Sequence, residues 1–126
     1  ERYTRLFTER GLAGPEALDP SKDSPVVLPR VEPGPARRHV FHQYTIRALD
    51  RDALQAALEG QGIGTAIYYP LPLHLQPCFA PLGGKEGDCP EAERAARQVL
   101  SLPIFPEITQ EQQQRVVEAV AGFFGR

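Results

Sequence analysis

Hydrophobic and polar positions alternate over residues 40–48. Val40, His42, Tyr44, Ile46 and Ala48 fall on one face, and Phe41, Gln43, Thr45 and Arg47 on the other. Period two with β-branched and aromatic content predicts a strand. The spacing then becomes helical. Leu54, Ala57 and Leu58 form one stripe over 51–61, behind a capping Asp50 and ahead of Gly62, a residue suited to the position just past a helix. Residues 64–69 predict a second strand. A further helix to about Gln98 opens at Asp88 or Cys89, with Pro90 near its first position and Glu91 and Glu93 in its first turn. Residues 99–102 predict a third short strand, stopped by Pro103 and Pro106. Thr109 and Gln112 then form a capping box for a last helix, whose apolar face is Val116, Val117, Val120, Phe123 and Phe124.

The first third of the chain is patterned differently. Tyr3, Leu6 and Phe7 sit at i, i+3 and i+4, a short helix ended by Gly11. It is too short to stand alone, so residues 1–12 read as the tail of a longer helix. Residues 13–37 hold six prolines and read as an extended connector, within which 26–28 pair briefly at a sheet edge. Residues 38–126 then form one small domain. The order strand, helix, strand, long loop, helix, strand, helix predicts an α/β fold of two layers (α+β): a small three- to four-stranded sheet with helices packed on one face.

Composition narrows the function classes. The 126 residues suit one core, and 41% hydrophobic with 24% charged residues is ordinary for a globular protein. No apolar run approaches a membrane span, and a net charge of −2 leaves no basic footprint for nucleic acid or anionic lipid. Two cysteines cannot build a disulfide scaffold. The chain starts Glu1-Arg2-Tyr3 and contains no methionine, so it is expected to be a piece of a longer polypeptide.

Candidate chemistry concentrates in residues 68–89. The stretch is broken by Pro70, Pro72, Pro77, Pro81, Gly83, Gly84 and Gly87, yet carries Leu71, Leu73, His74, Leu75, Cys78 and Phe79. A loop this long and apolar is usually folded onto something, and such loops often carry function. Tyr68, Tyr69 and His74 lie at a strand end and in the loop after it. Their phenol and imidazole groups suit sugar hydroxyls or phosphate oxygens; a hydrophobic loop covering a neighbouring surface is the alternative, and the two are compatible. His42, on an apolar strand face, reads first as a core histidine and second as a ligand contact. Arg37-Arg38-His39 is a solvated turn or a phosphate contact. His74, Cys78 and Cys89 are soft ligands, but a closed zinc site needs a fourth, from His42 or His39. Cys78 as a nucleophile needs an activated thiolate. Lys22 and Lys85, in a connector and a glycine-rich turn, are not placed for a Schiff base.

These segments together resemble one family. His39-Val40-Phe41-His42-Gln43-Tyr44-Thr45-Ile46, the Tyr69-Pro70-Leu71-Pro72-Leu73-His74-Leu75-Gln76-Pro77 loop, Asp88-Cys89-Pro90 with Glu93, and Leu100-Ser101-Leu102-Pro103 are similar, in collinear order over about 38–124, to the C-terminal part of the DegT/DnrJ/EryC1/StrS sugar aminotransferases. The resemblance implies the small domain of a fold-type-I enzyme dependent on pyridoxal phosphate. Such enzymes move an amino group, usually from glutamate, to a nucleotide-linked keto-sugar. It implies a separate large N-terminal domain that holds the cofactor and its lysine, a homodimer with the active site at the interface, and a cytoplasmic setting. It leaves this chain without cofactor-binding or catalytic residues and inactive alone, with Tyr68, His74, His42 and Arg38 as substrate contacts. Many members have His-Tyr-Pro where this chain has Tyr68-Tyr69-Pro70; a phenol has a different reach and no charge change near neutral pH. A stand-alone, non-catalytic binding or regulatory module of the same fold is the alternative.

Overall fold

The computed structural model describes residues 2–14, 17–31, 34 and 39–126. Helix α1 (Arg2–Glu9) ends as expected at Gly11, whose φ of 63° is the left-handed region that glycine enters without strain. The chain then turns into strand β1 (Val26–Val27), strand β2 (Tyr44–Ala48), helix α2 (Arg51–Gly60), helix α3 (Pro90–Gln98), strand β3 (Val99–Leu102) and helix α4 (Gln110–Phe123). The sheet is antiparallel throughout, in the order β1-β2-β3, with Val26 opposite Ala48 and Ile46 opposite Leu100. This is the expected small sheet with a helical layer. Among the described residues, no helix is long and apolar enough to cross a membrane.

The alternation of β2 sorts its side chains. Tyr44, Ile46 and Ala48 are buried, while Thr45 and Arg47 point to the other side. The buried row meets Leu54 and Leu58 of α2, Leu100 of β3, and Val116, Val117 and Val120 of α4, all in one core. Helix α1 belongs to the same core. Tyr3 and Phe7 are fully buried, the Tyr3 ring lies 5.0 Å from that of Tyr44, and its hydroxyl donates to the Pro103 carbonyl at 2.9 Å. Burial pushes the Tyr3 phenol well above its ordinary range, with Tyr44 adding to the shift. Removing each such side chain from water contributes about 1.5–3 kcal/mol. On the opposite face, Arg47 ties the connector to the sheet. It donates to the Leu18 carbonyl, to Asp19 and to Gln98, while Arg94 of α3 grips the other Asp19 oxygen at 2.9 Å.

Three local expectations are corrected. The strand expected over 40–48 begins only at Tyr44. Phe41 has φ 49°, which breaks the pleat, and its N–H donates to His39 Nδ1 at 3.0 Å while the two rings pack. Val40 is therefore 81% exposed and His42 is exposed, not a core histidine. Asp50 does not cap α2 with its side chain. The corner between β2 and α2 places it in the left-handed region (φ 48°), and only its carbonyl serves the helix, accepting from Leu54 N–H at 3.0 Å. Residues 64–69 reduce to a single bridge, Ala66 with Ser101, on the free edge of β3. The capping box of α4 is present in both halves: Thr109 Oγ1 accepts from Gln112 N–H and Gln112 Oε1 accepts from Thr109 N–H.

Candidate functional site

From the Ala66 bridge the chain leaves the sheet through Tyr68 and Tyr69, joined by a cis peptide bond. The prolines that exclude longer elements still permit tight turns. Residues 73–75 form one turn of 3-10 helix, closed by Leu75 N–H on the Pro72 carbonyl at 3.0 Å. Residues 77–82 form a second, which ends at Gly83 in the left-handed region. These turns satisfy backbone groups locally, so the side chains are not drawn into a core. Tyr68 is 52% exposed, and Tyr69, Leu71, Leu73, Phe79 and Leu82 are also exposed.

His74 is instead half-buried. Its ring is only 17% exposed, and Nε2 lies 3.0 Å from Glu93 Oε1, on an α3 side chain that is 8% exposed. The same oxygen accepts the N–H of Gly87 at 2.9 Å and that of Cys89 at 3.4 Å. The loop thus closes on one carboxylate oxygen. Gly84 permits this closure, since a Cβ there would stand 2.7 Å from the His74 carbonyl oxygen. Desolvation raises the Glu93 pKa, but the bonds from Gly87, His74 and Cys89 outweigh it and hold the carboxyl below the ordinary range. In the sequence Glu93 stands in a first helical turn and in the family-like segment that starts Asp88-Cys89-Pro90, with nothing that ties it to His74. It lies 19 residues from His74, so no local spacing links the two.

Among the described residues, no side chain of the other expected site residues bonds to His74 or Glu93. Among the described residues, no hydrogen bond or ring contact joins His42 to Tyr68 or His74. Arg38 lies outside the described residues. Cys78 and Cys89 are exposed free thiols, and among the described residues no three His, Cys, Asp or Glu side chains group to hold a metal ion. Lys22 and Lys85 are exposed. A concavity of about 560 Å³ opens instead at the start of α2, lined by Asp50, Arg51, Arg97 and Phe123 among others and by none of Tyr68, His74 or His42. Arg51 there is already committed, to Asp52 and to the Val99 carbonyl.

Comparison with known proteins gives these residues a context. The DegT/DnrJ/EryC1/StrS aminotransferase family matches residues 17–121. A "pleiotropic regulatory protein" of Geobacillus stearothermophilus is 54% identical over 98% of this chain and 33% of its own length. A dTDP-3-amino-3,4,6-trideoxy-α-D-glucose transaminase of Streptomyces venezuelae is 43% identical over 87% of this chain and 26% of its own. The crystal structure of S. venezuelae DesV in complex with a ketimine intermediate superposes with a TM-score of 0.78 at 38% identity, covering 99% of this chain and 32% of that one. NtdA from Bacillus subtilis, solved with bound cofactor PMP, gives 0.74 at 27% identity, covering 99% of this chain and 26% of that one. The family is dependent on pyridoxal phosphate. The chain spans about a quarter to a third of the length of these relatives. With its sheet, its proline-broken aromatic loop and its L-S-L-P strand all inside the matched region, the chain belongs to the DegT/DnrJ/EryC1/StrS aminotransferase family.

Proposed function

We propose that the chain acts as the C-terminal small domain of a pyridoxal-phosphate-dependent aminotransferase whose substrate is a nucleotide-linked keto-sugar and whose amino donor is glutamate. The observation that carries this reading is the loop of residues 68–89. It presents Tyr68 and other exposed aromatic and aliphatic side chains, yet is pinned through His74 and Glu93 rather than left loose. An apolar surface held in one shape serves a partner or a ligand better than it serves the isolated chain. Tyr68 and His74 are the substrate contacts, with Arg38 and the exposed His42 as further ones. Leu73, Phe79 and Leu82 exclude water and meet the rest of a cytoplasmic homodimer.

The cofactor does not fit this chain's own residues. Pyridoxal phosphate supplies the electron sink of transamination and needs a lysine amine sheltered from water. Both lysines here are exposed, so the cofactor and its lysine belong to a separate N-terminal domain. The role left to this chain is to bind and orient the sugar. The test is to mix the purified 126-residue chain with pyridoxal phosphate. No stable absorbance band and no transamination are expected; a persistent Schiff-base band would overturn the reading.

A second reading has one observation in its favour: the 54%-identical relative is named a regulatory protein. On that reading the domain binds a sugar nucleotide or a partner without catalysis. Sequencing the DNA upstream of Glu1 separates the two. An open frame encoding a lysine-bearing domain supports the enzyme, and a start codon at Glu1 supports the module.

A further inference from the structure

His74 and Glu93 carry more than the closing of a loop. Three donors converge on Glu93 Oε1: the Gly87 and Cys89 backbone N–H groups and the His74 ring. An ionised carboxylate only accepts, so the ring must donate to it from Nε2. A neutral imidazole that donates from one nitrogen carries its lone pair on the other. Among the described residues, Nδ1 of His74 has no hydrogen-bond partner, and the ring keeps 17% of its surface exposed. Gly84 packs against the His74 backbone and limits how far the residue can shift.

We propose that Glu93 is a positioning residue that fixes His74 as the Nε2–H tautomer, so that Nδ1 faces the ligand as a hydrogen-bond acceptor selective for a sugar hydroxyl over a phosphate oxygen. The inference rests on His74 being a substrate contact. It decides between the two ligand groups that imidazole chemistry by itself leaves open. A hydroxyl can donate to Nδ1, whereas an ionised phosphate oxygen and the ring lone pair are both acceptors and oppose each other. The arrangement is the one by which a carboxylate behind a histidine sets its tautomer and aim in metal sites, here with a hydroxyl in place of the metal.

The test is long-range ¹H–¹⁵N correlation of the ¹⁵N-labelled 126-residue chain at about pH 8.5, above the ordinary imidazole range. The expected result is a pyrrole-type signal for Nε2 with a slowly exchanging proton and a pyridine-type signal for Nδ1. Glu93→Ala is expected to abolish the slow exchange and move both signals toward the averaged pair of a free imidazole. Adding dTDP-glucose is expected to move Nδ1, and dTDP alone to leave it in place. A pyridine-type Nε2 in the unsubstituted chain overturns the inference whether or not Glu93→Ala folds. So does a folded Glu93→Ala variant with unchanged signals, or a Nδ1 shift that dTDP reproduces in full. A correct tautomer with Nδ1 unmoved by dTDP-glucose, while amide shifts elsewhere in the loop report that the ligand is bound, upholds Glu93 as the positioning residue and overturns His74 as the sugar contact.

Discussion

Tyr3, Phe7, Leu54 and Leu58 are withdrawn from solvent, whereas Tyr68, Tyr69, Leu71, Leu73, Phe79 and Leu82 each keep at least 40% of their surface exposed. Both groups are large and apolar, so residue type does not explain the contrast. The first group sits on helices whose period delivers one face to the sheet. The second sits in a proline-broken loop: Tyr68, Tyr69 and Leu71 lie outside any helix or strand, and Leu73, Phe79 and Leu82 lie on tight turns that consume their own backbone bonds and leave no face to stack. The core is held by burial, and the loop by a few polar contacts centred on Glu93. A surface that must stay available for recognition needs its order from somewhere other than burial, and a single buried carboxylate oxygen with three donors supplies it.

The contrast can be broken by substitution. Leu54→Ala should cost about 2–5 kcal/mol in urea unfolding, because it empties a fully enclosed site. Gly84→Ala should cost about 1–3 kcal/mol, since its Cβ meets a backbone oxygen that cannot rotate away. Amide shifts should then change around His74 and Gly87 while the β2 and β3 signals hold. A change spread over the whole sheet would show that loop and core are one cooperative unit. Leu82→Ala, at 82% exposure, should change stability by less than about 0.5 kcal/mol. A cost near that of Leu54→Ala would erase the distinction.

Acid sharpens the same comparison. Glu93 is held below the ordinary carboxylate range in the folded chain, so the unfolded chain binds more protons there. Its stabilisation is therefore complete above the ordinary carboxylate pKa and is lost as pH falls through the lower folded value. Hydrogen exchange at the Gly87 and Cys89 amides should accelerate in that window while amides of β2 stay protected. Glu93→Gln should remove this pH dependence. Simultaneous loss of protection in both regions would refute separate control of the loop.

Much of the fold was legible from local pattern. The α4 capping box, the helix over 51–60, the strand at 99–102 and the brief edge pairing of Val26 and Val27 follow from spacing and cap chemistry, which act within a few residues. The misses share one cause. Phe41 and Asp50 adopt left-handed conformations that the chain's path imposes, against their own preference. Residues 64–69 had strand composition but reached the sheet at only one position. In the site, His74 stood out by its place after two prolines, whereas no local spacing tied Glu93 to it across 19 residues.

Local pattern was enough for the four helices, for the cores of the strands at 44–48 and 99–102, for their apolar faces, and for the motifs that place the chain in its family. Periodicity, capping and proline chemistry are local and need no partner. That Tyr3 and Phe7 complete the core, that His42 lies in solvent, and that one oxygen of Glu93 gathers His74, Gly87 and Cys89 emerges only from the folded chain. Those outcomes depend on contacts between residues far apart in the chain, whose energy exists only once the backbone has brought them within hydrogen-bond or van der Waals reach.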